Sequence, residues 1–318
     1  MYPLRILFYG TSAFSVPTLE QLAQDARLTI VGVVTQPDRP SGRHAQVLAS
    51  PIKQLAQRMR LPVKQYPSVK DAAVYDELAL FQPDIAVVVS FGQIIPERLL
   101  SLPKHGSINI HGSLLPAYRG SSPVNAAILH GDGETGITIM QMDAKMDHGP
   151  IIKQFPEKIH PDDTAQTLHD RLALLGGKHI VDTLIAYVEG RITPLAQEES
   201  QATYVKLLSR EDGAMSEDKP ATFIERQVRA YHPWPGTYGF FGGQRLKILA
   251  AQVIELPMEY KNAPKGTTFI AQGLPAIVCG EGTALTFNRL QPEGRKAMEG
   301  KDFLHGKNLW GQPLTPSG

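Results

Sequence analysis

The chain has few of the residues that build cross-links or multi-cysteine metal centres. Its 318 residues include one cysteine, Cys279, which excludes an intrachain disulfide and a zinc site made of several cysteines. No apolar run is long enough to cross a bilayer. The residues that follow Met1 lack the basic and apolar regions of a signal peptide. We therefore expect a cytoplasmic protein that makes no contact with a membrane.

Strong net charge is also missing. The chain has 32 Lys and Arg against 31 Asp and Glu, which gives a formal net charge of +1. Such a chain has no global field that would attract a polyanion, and we expect no DNA partner. The stretch after Val205 is mildly basic, so contact with RNA stays open for that part.

Several sequence motifs of common enzyme classes are absent. The first strand is followed by Gly10-Thr11-Ser12-Ala13-Phe14, which lacks the G-x-G-x-x-G of a nicotinamide or flavin dinucleotide site. The chain has no G-x-S-x-G elbow for a serine nucleophile and no H-E-x-x-H motif. We therefore expect no bound metal, and direct transfer between two bound substrates rather than an acyl-enzyme.

Two kinds of pattern follow each other along the chain. Apolar strands and amphipathic helices alternate up to Glu189, which predicts a Rossmann-like, doubly wound, mostly parallel sheet. Within it, Gln36–Ser50 is interpreted as a long irregular connection. Several short strands with Gly, Pro and Asn turns follow one helix after residue 212, which indicates a small, OB-like β-barrel. The predicted bounds are 1–189, a linker at 190–208, and 209–318.

The most informative stretch runs from Ser107 to Pro150. A strand predicted at 107–111 places Asn109 and His111 on one face, because side chains alternate along a strand. A second strand, 135–142, leads to Asp147. We expect the three side chains to meet at the ends of neighbouring strands, where open α/β sheets bind ligands. An amide, an imidazole and a carboxylate can together stabilise an oxyanion and remove a proton. His148 is interpreted as a loop residue.

A family resemblance rests on this stretch. The sequence His111-Gly112-Ser113-Leu114-Leu115-Pro116, followed by Tyr118-Arg119-Gly120, resembles the signature of the folate-dependent formyltransferases. Those enzymes carry an Asn-x-His pair on one strand and an Asp after the next. Further segments that resemble the family are QPDRP at 36–40, GITIMQMD at 136–143, HPWPG at 232–236 and LQPEG at 290–294. The resemblance covers nearly the whole chain.

The resemblance implies an activity and its partners. A formyl group would pass from 10-formyltetrahydrofolate to the amino group of initiator methionyl-tRNA, for translation initiation, in a monomeric enzyme whose C-terminal domain binds the tRNA. Asn109 and charged His111 would stabilise the oxyanion, while Asp147 would orient His111 and accept the amine proton through a water molecule. The residues implied to line the folate site are Ser113, Leu114, Leu115, Pro116, Phe91, Gly92, Gln93, Ile94 and Asp143, and those implied to contact tRNA are Arg39, Arg43 and Lys206.

The sequence departs from the family pattern in places, and other functions stay open. After Gly42-Arg43 the usual basic cluster is replaced by His44-Ala45-Gln46, and Leu207 stands where many members have Lys. One alternative is a folate-dependent formyltransferase that acts on a small amine, such as a sugar amine or a purine precursor. Another is an RNA-binding relative without catalytic activity. The second domain argues against the first alternative, and the Asn109, His111 and Asp147 set argues against the second.

Overall fold

Strands and helices alternate through the first part of the computed structural model, which describes residues 3–41, 46–305 and 310. In chain order the elements are β1 (Leu4–Gly10), α1 (Val16–Gln24), β2 (Leu28–Thr35), β3 (Arg39–Ser41), β4 (Gln46–Leu48), α2 (Pro51–Arg58), β5 (Val63–Gln65), α3 (Ala72–Ala79), β6 (Ile85–Val89), α4 (Glu97–Leu100), β7 (Ser107–His111), β8 (Arg119–Gly120), α5 (Pro123–His130), β9 (Glu134–Gln141), β10 (Ile151–Lys158) and α6 (Ala165–Val188).

Seven of these strands form one sheet in the order β10-β9-β7-β6-β1-β2-β5. The five strands from β7 to β5 are parallel. Apolar residues fill both faces of the central strands; Ile6, Leu7, Phe8 and Tyr9 of β1 are all fully buried, as expected where helices cover both faces. The predicted doubly wound, mostly parallel fold is confirmed.

The strand β9, which leads toward Asp147, is antiparallel to its neighbour β7. Gln141 at the end of β9 pairs with Ile108 near the start of β7. β7 and β9 are neighbours, as the sequence predicts, but because they are antiparallel the end of β9 lies at the opposite end of β7 from His111. The loop between β9 and β10 instead brings Asp147 to His111.

The long connection 36–50 is not wholly irregular, which corrects a second expectation. β3 and β4 pair antiparallel within it, with Arg39 opposite Leu48 and Ser41 opposite Gln46. The pair is only three residues long on each side, too short for a periodic signal in the sequence. Gly42, Arg43, His44 and Ala45 lie outside the described residues.

The rest of the chain is mainly antiparallel β-structure. Its elements are β11 (Tyr204–Val205), α7 (Ala221–Ala230), β12 (Thr237–Phe241), β13 (Gln244–Ile254), β14 (Thr268–Ala271), β15 (Leu274–Cys279), β16 (Thr283–Pro292), β17 (Met298–Glu299) and α8 (Gly300–Leu304). The sheet has the order β12-β13-β16-β15-β14, and β17 pairs with β16. Trp310 packs among Phe241, Phe287 and Phe303, so an aromatic cluster forms the centre of its core. The antiparallel β-rich C-terminal fold agrees with prediction.

Contacts divide the chain into two compact units. Unit 1 comprises 1–123, 134–158 and 169–205, and unit 2 comprises 124–133, 159–168 and 206–318. The bounds at 189 and 208 stay predictions. Within unit 1, the segment 195–205 is attached by backbone bridges: Leu195 pairs with Ile151, and β11 pairs with β8.

Candidate active site

Strand β7 presents the first two candidate side chains. Ile108 and Ile110 are buried on one face, while Asn109 is only partly buried on the other. Among the described residues, no hydrogen bond is formed by the side-chain amide of Asn109. A partly buried amide without a partner is uncommon in a folded protein. This amide is therefore free to donate to a bound molecule.

His111 is held from two sides. Its Nε2 lies 2.9 Å from the carbonyl oxygen of Tyr118, and because a carbonyl only accepts, Nε2 carries a hydrogen. Its Nδ1 lies 3.6 Å from Oδ2 of Asp147, which is too long for a good hydrogen bond but close enough for an ion pair. The imidazole is 6% exposed. The Tyr118 carbonyl and the Asp147 carboxylate therefore fix the orientation of the ring.

Asp147 is placed by an unusual backbone. Its φ of 48° lies in the left-handed region, where a residue other than glycine is strained by about 1–3 kcal/mol and needs support. Its Oδ2 accepts a hydrogen bond of 2.8 Å from the backbone N–H of Gly120. Gln197 donates from Nε2 to the carbonyl oxygens of Asp147 and Gly149, each at 2.8 Å. The carboxylate and its backbone are thus fixed from separate directions.

A buried arginine lies behind this loop. Arg119 is fully buried, and its Nε donates to Oε1 of Gln197 at 3.0 Å. Its Nη1 donates to Glu199 at 3.0 Å and to the hydroxyl of Tyr204 at 2.9 Å. Burial acts to lower the pKa of Arg119, but the hydrogen bonds with Glu199 and Tyr204 outweigh it and raise that pKa. The bond from Arg119 lowers the pKa of Glu199, so both groups are charged.

The first group of predicted folate-site residues forms a tight loop. Ser113 is fully buried, and its hydroxyl donates to the carbonyl oxygen of Ala117 at 2.6 Å. Leu115 is also buried, and its N–H donates to Thr138 Oγ1 at 3.0 Å. These side chains shape the loop from inside. Leu114 and Pro116 are partly exposed, so they are the members of this group that a ligand can reach.

The second group follows β6. Phe91 packs into the core of unit 1 and contacts Tyr9 edge to face, with ring centroids 5.3 Å apart. Gln93 accepts from the N–H of Val69 and donates to the carbonyl oxygen of Tyr66. Gly92 is exposed, and Ile94 is 69% exposed. An exposed apolar side chain beside an exposed glycine is a surface on which a flat ligand can rest.

Asp143 and His148 are joined to each other. His148 Nδ1 lies 2.7 Å from Asp143 Oδ2, and the other oxygen of Asp143 accepts from the N–H of Lys145 at 2.9 Å. His148 Nε2 is 3.8 Å from Glu199. His148 is thus held between two carboxylates in the loop. The carboxylate of Asp143, which is predicted to contact the folate, is therefore already bonded to His148 and to the N–H of Lys145.

Two of the three residues predicted to contact tRNA, Arg39 and Lys206, are among the described residues. Arg39 is exposed and donates to Gln36 Oε1 at 2.5 Å. Lys206 is exposed and pairs with Asp212 at 2.8 Å. Arg43 lies outside the described residues.

Several residues that build the site were not identified from the sequence. They are Gly120, which donates to Asp147, the Tyr118 carbonyl, which accepts from His111, and Gln197 and Glu199 of the predicted linker. Glycine in the signature motif was a usable signal, because Gly120 has a φ of 114° that other residues avoid. Gln197 gave no signal.

Among the residues of the described ranges, no group of three or more His, Cys, Asp or Glu side chains is arranged to hold a metal ion. None of the helices in those ranges has the length and apolar character required to span a bilayer.

Comparison with known proteins identifies the family. Residues 4–184 match the formyl transferase family, and residues 207–308 match the formyl transferase C-terminal domain. The methionyl-tRNA formyltransferase of Roseiflexus sp. (strain RS-1) is 45% identical over 309 residues, covering 97% of this chain and 94% of that protein. That of Bacillus velezensis is 40% identical over 305 residues, covering 96% and 95%.

Solved structures share the fold at low identity. WlaRD, a sugar 3N-formyl transferase crystallised with dTDP and 5-N-formyl-THF, is 17% identical with a TM-score of 0.66, over 93% of this chain and all of that one. HypX from Aquifex aeolicus in complex with tetrahydrofolic acid is 16% identical with a TM-score of 0.60, over 99% and 50%. Sequence matches along nearly the full length show that the chain belongs to the formyl transferase family, as an enzyme of the methionyl-tRNA formyltransferase group.

Proposed function

We propose that this enzyme transfers the formyl group of 10-formyltetrahydrofolate to the amino group of initiator methionyl-tRNA. The observation that carries the proposal is the arrangement of three side chains on and beside β7. Asn109 has an amide without a partner, and His111 lies beside it on the same strand with its Nδ1 3.6 Å from Asp147. Relatives that match nearly the whole chain are named for the same reaction.

Each side chain has a distinct task as the amine attacks the formyl carbon. Negative charge develops on the formyl oxygen, and donors aimed at it lower the barrier. Asn109 supplies an amide N–H, and the imidazole of His111 supplies a second donor. Asp147 accepts the proton that the amine loses, through a water molecule. The C–N bond to the folate then breaks, and its nitrogen regains a proton.

The residues around the site suit a folate. The folate supplies the activated formyl carbon; the chain supplies an exposed apolar side chain at Ile94 and partly exposed Leu114 and Pro116. Gly92, two positions before Ile94, is exposed and has a φ of 82°. No side chain covers its backbone, which is therefore accessible to a ligand. Two structures of similar fold were solved with folates, which supports this choice of donor.

A tRNA acceptor makes contacts over a larger surface than the one around Asn109, His111 and Asp147. Arg39, Arg43 and Lys206 contact the tRNA, and unit 2 binds it as well. Lys206 would have to exchange its bond with Asp212 for a phosphate. The enzyme acts as a monomer in the cytoplasm. It binds no metal, DNA or membrane.

One assay tests the proposal directly. The enzyme is mixed with 10-formyltetrahydrofolate and charged initiator tRNA, and formylmethionyl-tRNA is measured; uncharged tRNA is the matched control. Parallel reactions contain a sugar amine or a purine precursor as acceptor. Turnover with the charged tRNA alone supports the proposal, whereas turnover with a small amine alone overturns it. Calorimetric titration should show binding of a tetrahydrofolate analogue and none of NAD.

A further inference from the structure

The side chain of Gln197 forms three hydrogen bonds at one place, which use both of its N–H donors and its oxygen. Its oxygen accepts from Nε of the buried Arg119 at 3.0 Å. Its amide nitrogen donates to the carbonyl oxygens of Asp147 and Gly149, both at 2.8 Å. An amide has one oxygen and two N–H donors. Gln197 therefore links a fixed cation to the backbone that carries the carboxylate at the site.

Both supports of this link are themselves held by several hydrogen bonds. Arg119 is fully buried and bonded to Glu199 and Tyr204, and its backbone N–H donates to the carbonyl oxygen of Thr203 at 2.8 Å. The segment that contains Gln197 is anchored at its other end by the two backbone bonds between Leu195 and Ile151, of 2.8 and 2.7 Å. Gln197 is thus held in place, and its two donated hydrogen bonds hold the backbone of the loop that contains Asp147 and Gly149.

The loop has need of such a support. Asp147 adopts a left-handed backbone with φ 48°, which non-glycine residues hold only where surrounding contacts enforce it. A Cβ at Gly149 would lie 2.0 Å from the carbonyl oxygen of Gln141, so this neighbour is confined as well. The two carbonyl groups that Gln197 binds belong to the strained Asp147 itself and to the confined Gly149. Without the amide they would lack these donors, and the bend would relax.

We infer that Gln197 is a positioning residue for the transfer reaction: seated by Arg119, it fixes the backbone of Asp147 so that the carboxylate faces His111. Gln197, which belongs to the segment 195–205, is then part of the catalytic apparatus, whereas the exposed Gln201 of the same segment is not. This inference rests on the proposed role of Asp147 as proton acceptor. It predicts a loss of turnover rather than of substrate binding, because the carboxylate acts as the proton leaves the amine.

Two substitutions separate the functions of the amide. Gln197→Met has a similar length and removes all its hydrogen bonds. Gln197→Glu keeps an oxygen for Arg119 but replaces the donor that faces Asp147 and Gly149 with an acceptor. Gln201→Glu is the matched control, because Gln201 is exposed in the same segment. We expect both Gln197 variants to lower kcat by about 10- to 100-fold, as for a misplaced catalytic group, with each substrate KM changed less than about threefold.

A double-substitution cycle then tests whether the effect passes through the carboxylate. In an Asp147→Asn background, measured by single-turnover kinetics, Gln197→Glu should cost less than about threefold more, because residues acting as a unit are not additive. Equal losses in both backgrounds would show a general structural role and overturn the inference. So would normal kcat in Gln197→Glu, with folding checked by circular dichroism; this variant decides the matter if Gln197→Met fails to fold. Full activity of Asp147→Asn alone would instead overturn the proposed role of Asp147.

Discussion

Gly120 donates its backbone N–H to the carboxylate oxygen Oδ2 of Asp147 across 2.8 Å, although 27 positions separate the two residues. Gly120 has a φ of 114°, and a Cβ added to it would lie 2.1 Å from the carbonyl oxygen of Val205. A side chain therefore fits neither the backbone angle nor the space. This glycine allows two chain segments to meet beside the carboxylate.

We expect Gly120→Ala to move this N–H away from Asp147. The added methyl group must displace Val205 or rotate the backbone out of its left-handed angle. A shift of that size beside a catalytic group typically lowers kcat by about 100-fold. Steady-state kinetics with both substrates measures it. Gly133→Ala is the control, because nothing lies within 4 Å of a Cβ at Gly133; equal losses in the two variants would contradict the prediction.

Removal of the three candidate catalytic groups should reduce kcat more than KM. Loss of one donor to an oxyanion typically costs about 10²–10³ in rate, and we expect at least that for Asn109→Ala and for His111→Ala. Asp147→Asn should cost as much or more, because it removes both the charge beside His111 and the proton acceptor. The double variant Asp147→Asn/His111→Ala should be little worse than the poorer single variant. Additive losses would show that the groups act separately.

His148, which follows Asp147 in the chain, is the other histidine that could be catalytic, and a substitution there tests the assignment of His111. His148 is bonded to Asp143 at 2.7 Å, and its side chain is 36% exposed. We expect His148→Ala to change kcat by less than about tenfold, since it removes no donor to the oxyanion. If His148→Ala abolished turnover while His111→Ala stayed active, the catalytic histidine would be misassigned.

Use of tRNA should depend on salt through phosphate contacts. The logarithm of the tRNA KM should rise with the logarithm of salt concentration, and each lost contact should reduce the slope by about 0.7–0.9. We expect Arg39→Ala and Arg43→Ala each to raise the tRNA KM and reduce this slope. Arg27→Ala is the control, because Arg27 is exposed but paired with Asp25. Unchanged slopes in both test variants would leave these arginines without a role in tRNA binding.

The single cysteine should be inert in the folded protein. Cys279 is 1% exposed, and burial, with the nearby negative charge of Glu217, raises the pKa of its thiol to about 12. Only the thiolate reacts with disulfide reagents. We expect no labelling by such a reagent at pH 8 until denaturant is added, measured by absorbance of the released thiol. Rapid labelling of native protein would contradict the burial of Cys279.

Asp212 should contribute to stability in a pH-dependent way. The hydrogen bond from Lys206, with further bonds from Ser209, lowers the pKa of Asp212 from 3.8 to about 2. A carboxyl group with a depressed pKa in the folded state stabilises it above its ordinary pKa, and the contribution is lost as pH falls toward the folded value. We expect Asp212→Asn to lower the unfolding temperature at pH 7, with the difference shrinking between pH 3.8 and about 2. Glu293→Gln, which removes an exposed carboxylate, is the control; a difference independent of pH would contradict the prediction.

Local sequence signals were sufficient for most elements. The bounds predicted for β7, 107–111, match those observed, because the alternation of side chains along a strand is a local signal. The direction of β9 was not predictable, since apolar alternation marks a strand but not which way it runs. β3 and β4 are too short to have a period.

The site was predictable only in part, for a related reason. Asn109, His111 and Asp147 were identified by residue type and by resemblance, and the structure brings His111 and Asp147 together. Gln197 was not identified, because its importance lies in bonds to backbone carbonyls far away in the chain. Nothing in the sequence around a polar residue of a segment without periodicity indicates which distant backbone groups its side chain binds.

The attachment of residues 195–205 to unit 1 also bears on how the enzyme is made. Arg119 lies 78 positions before Gln197, so during synthesis on the ribosome it emerges long before its partners Gln197, Glu199 and Tyr204. Chains grow from the N-terminus at about 5–20 residues per second. For several seconds the nascent chain therefore carries its signature motif with a guanidinium that the finished protein buries completely. The hydrogen bonds of Arg119 with Gln197, Glu199 and Tyr204 can therefore form only after residues 195–205 have been synthesised.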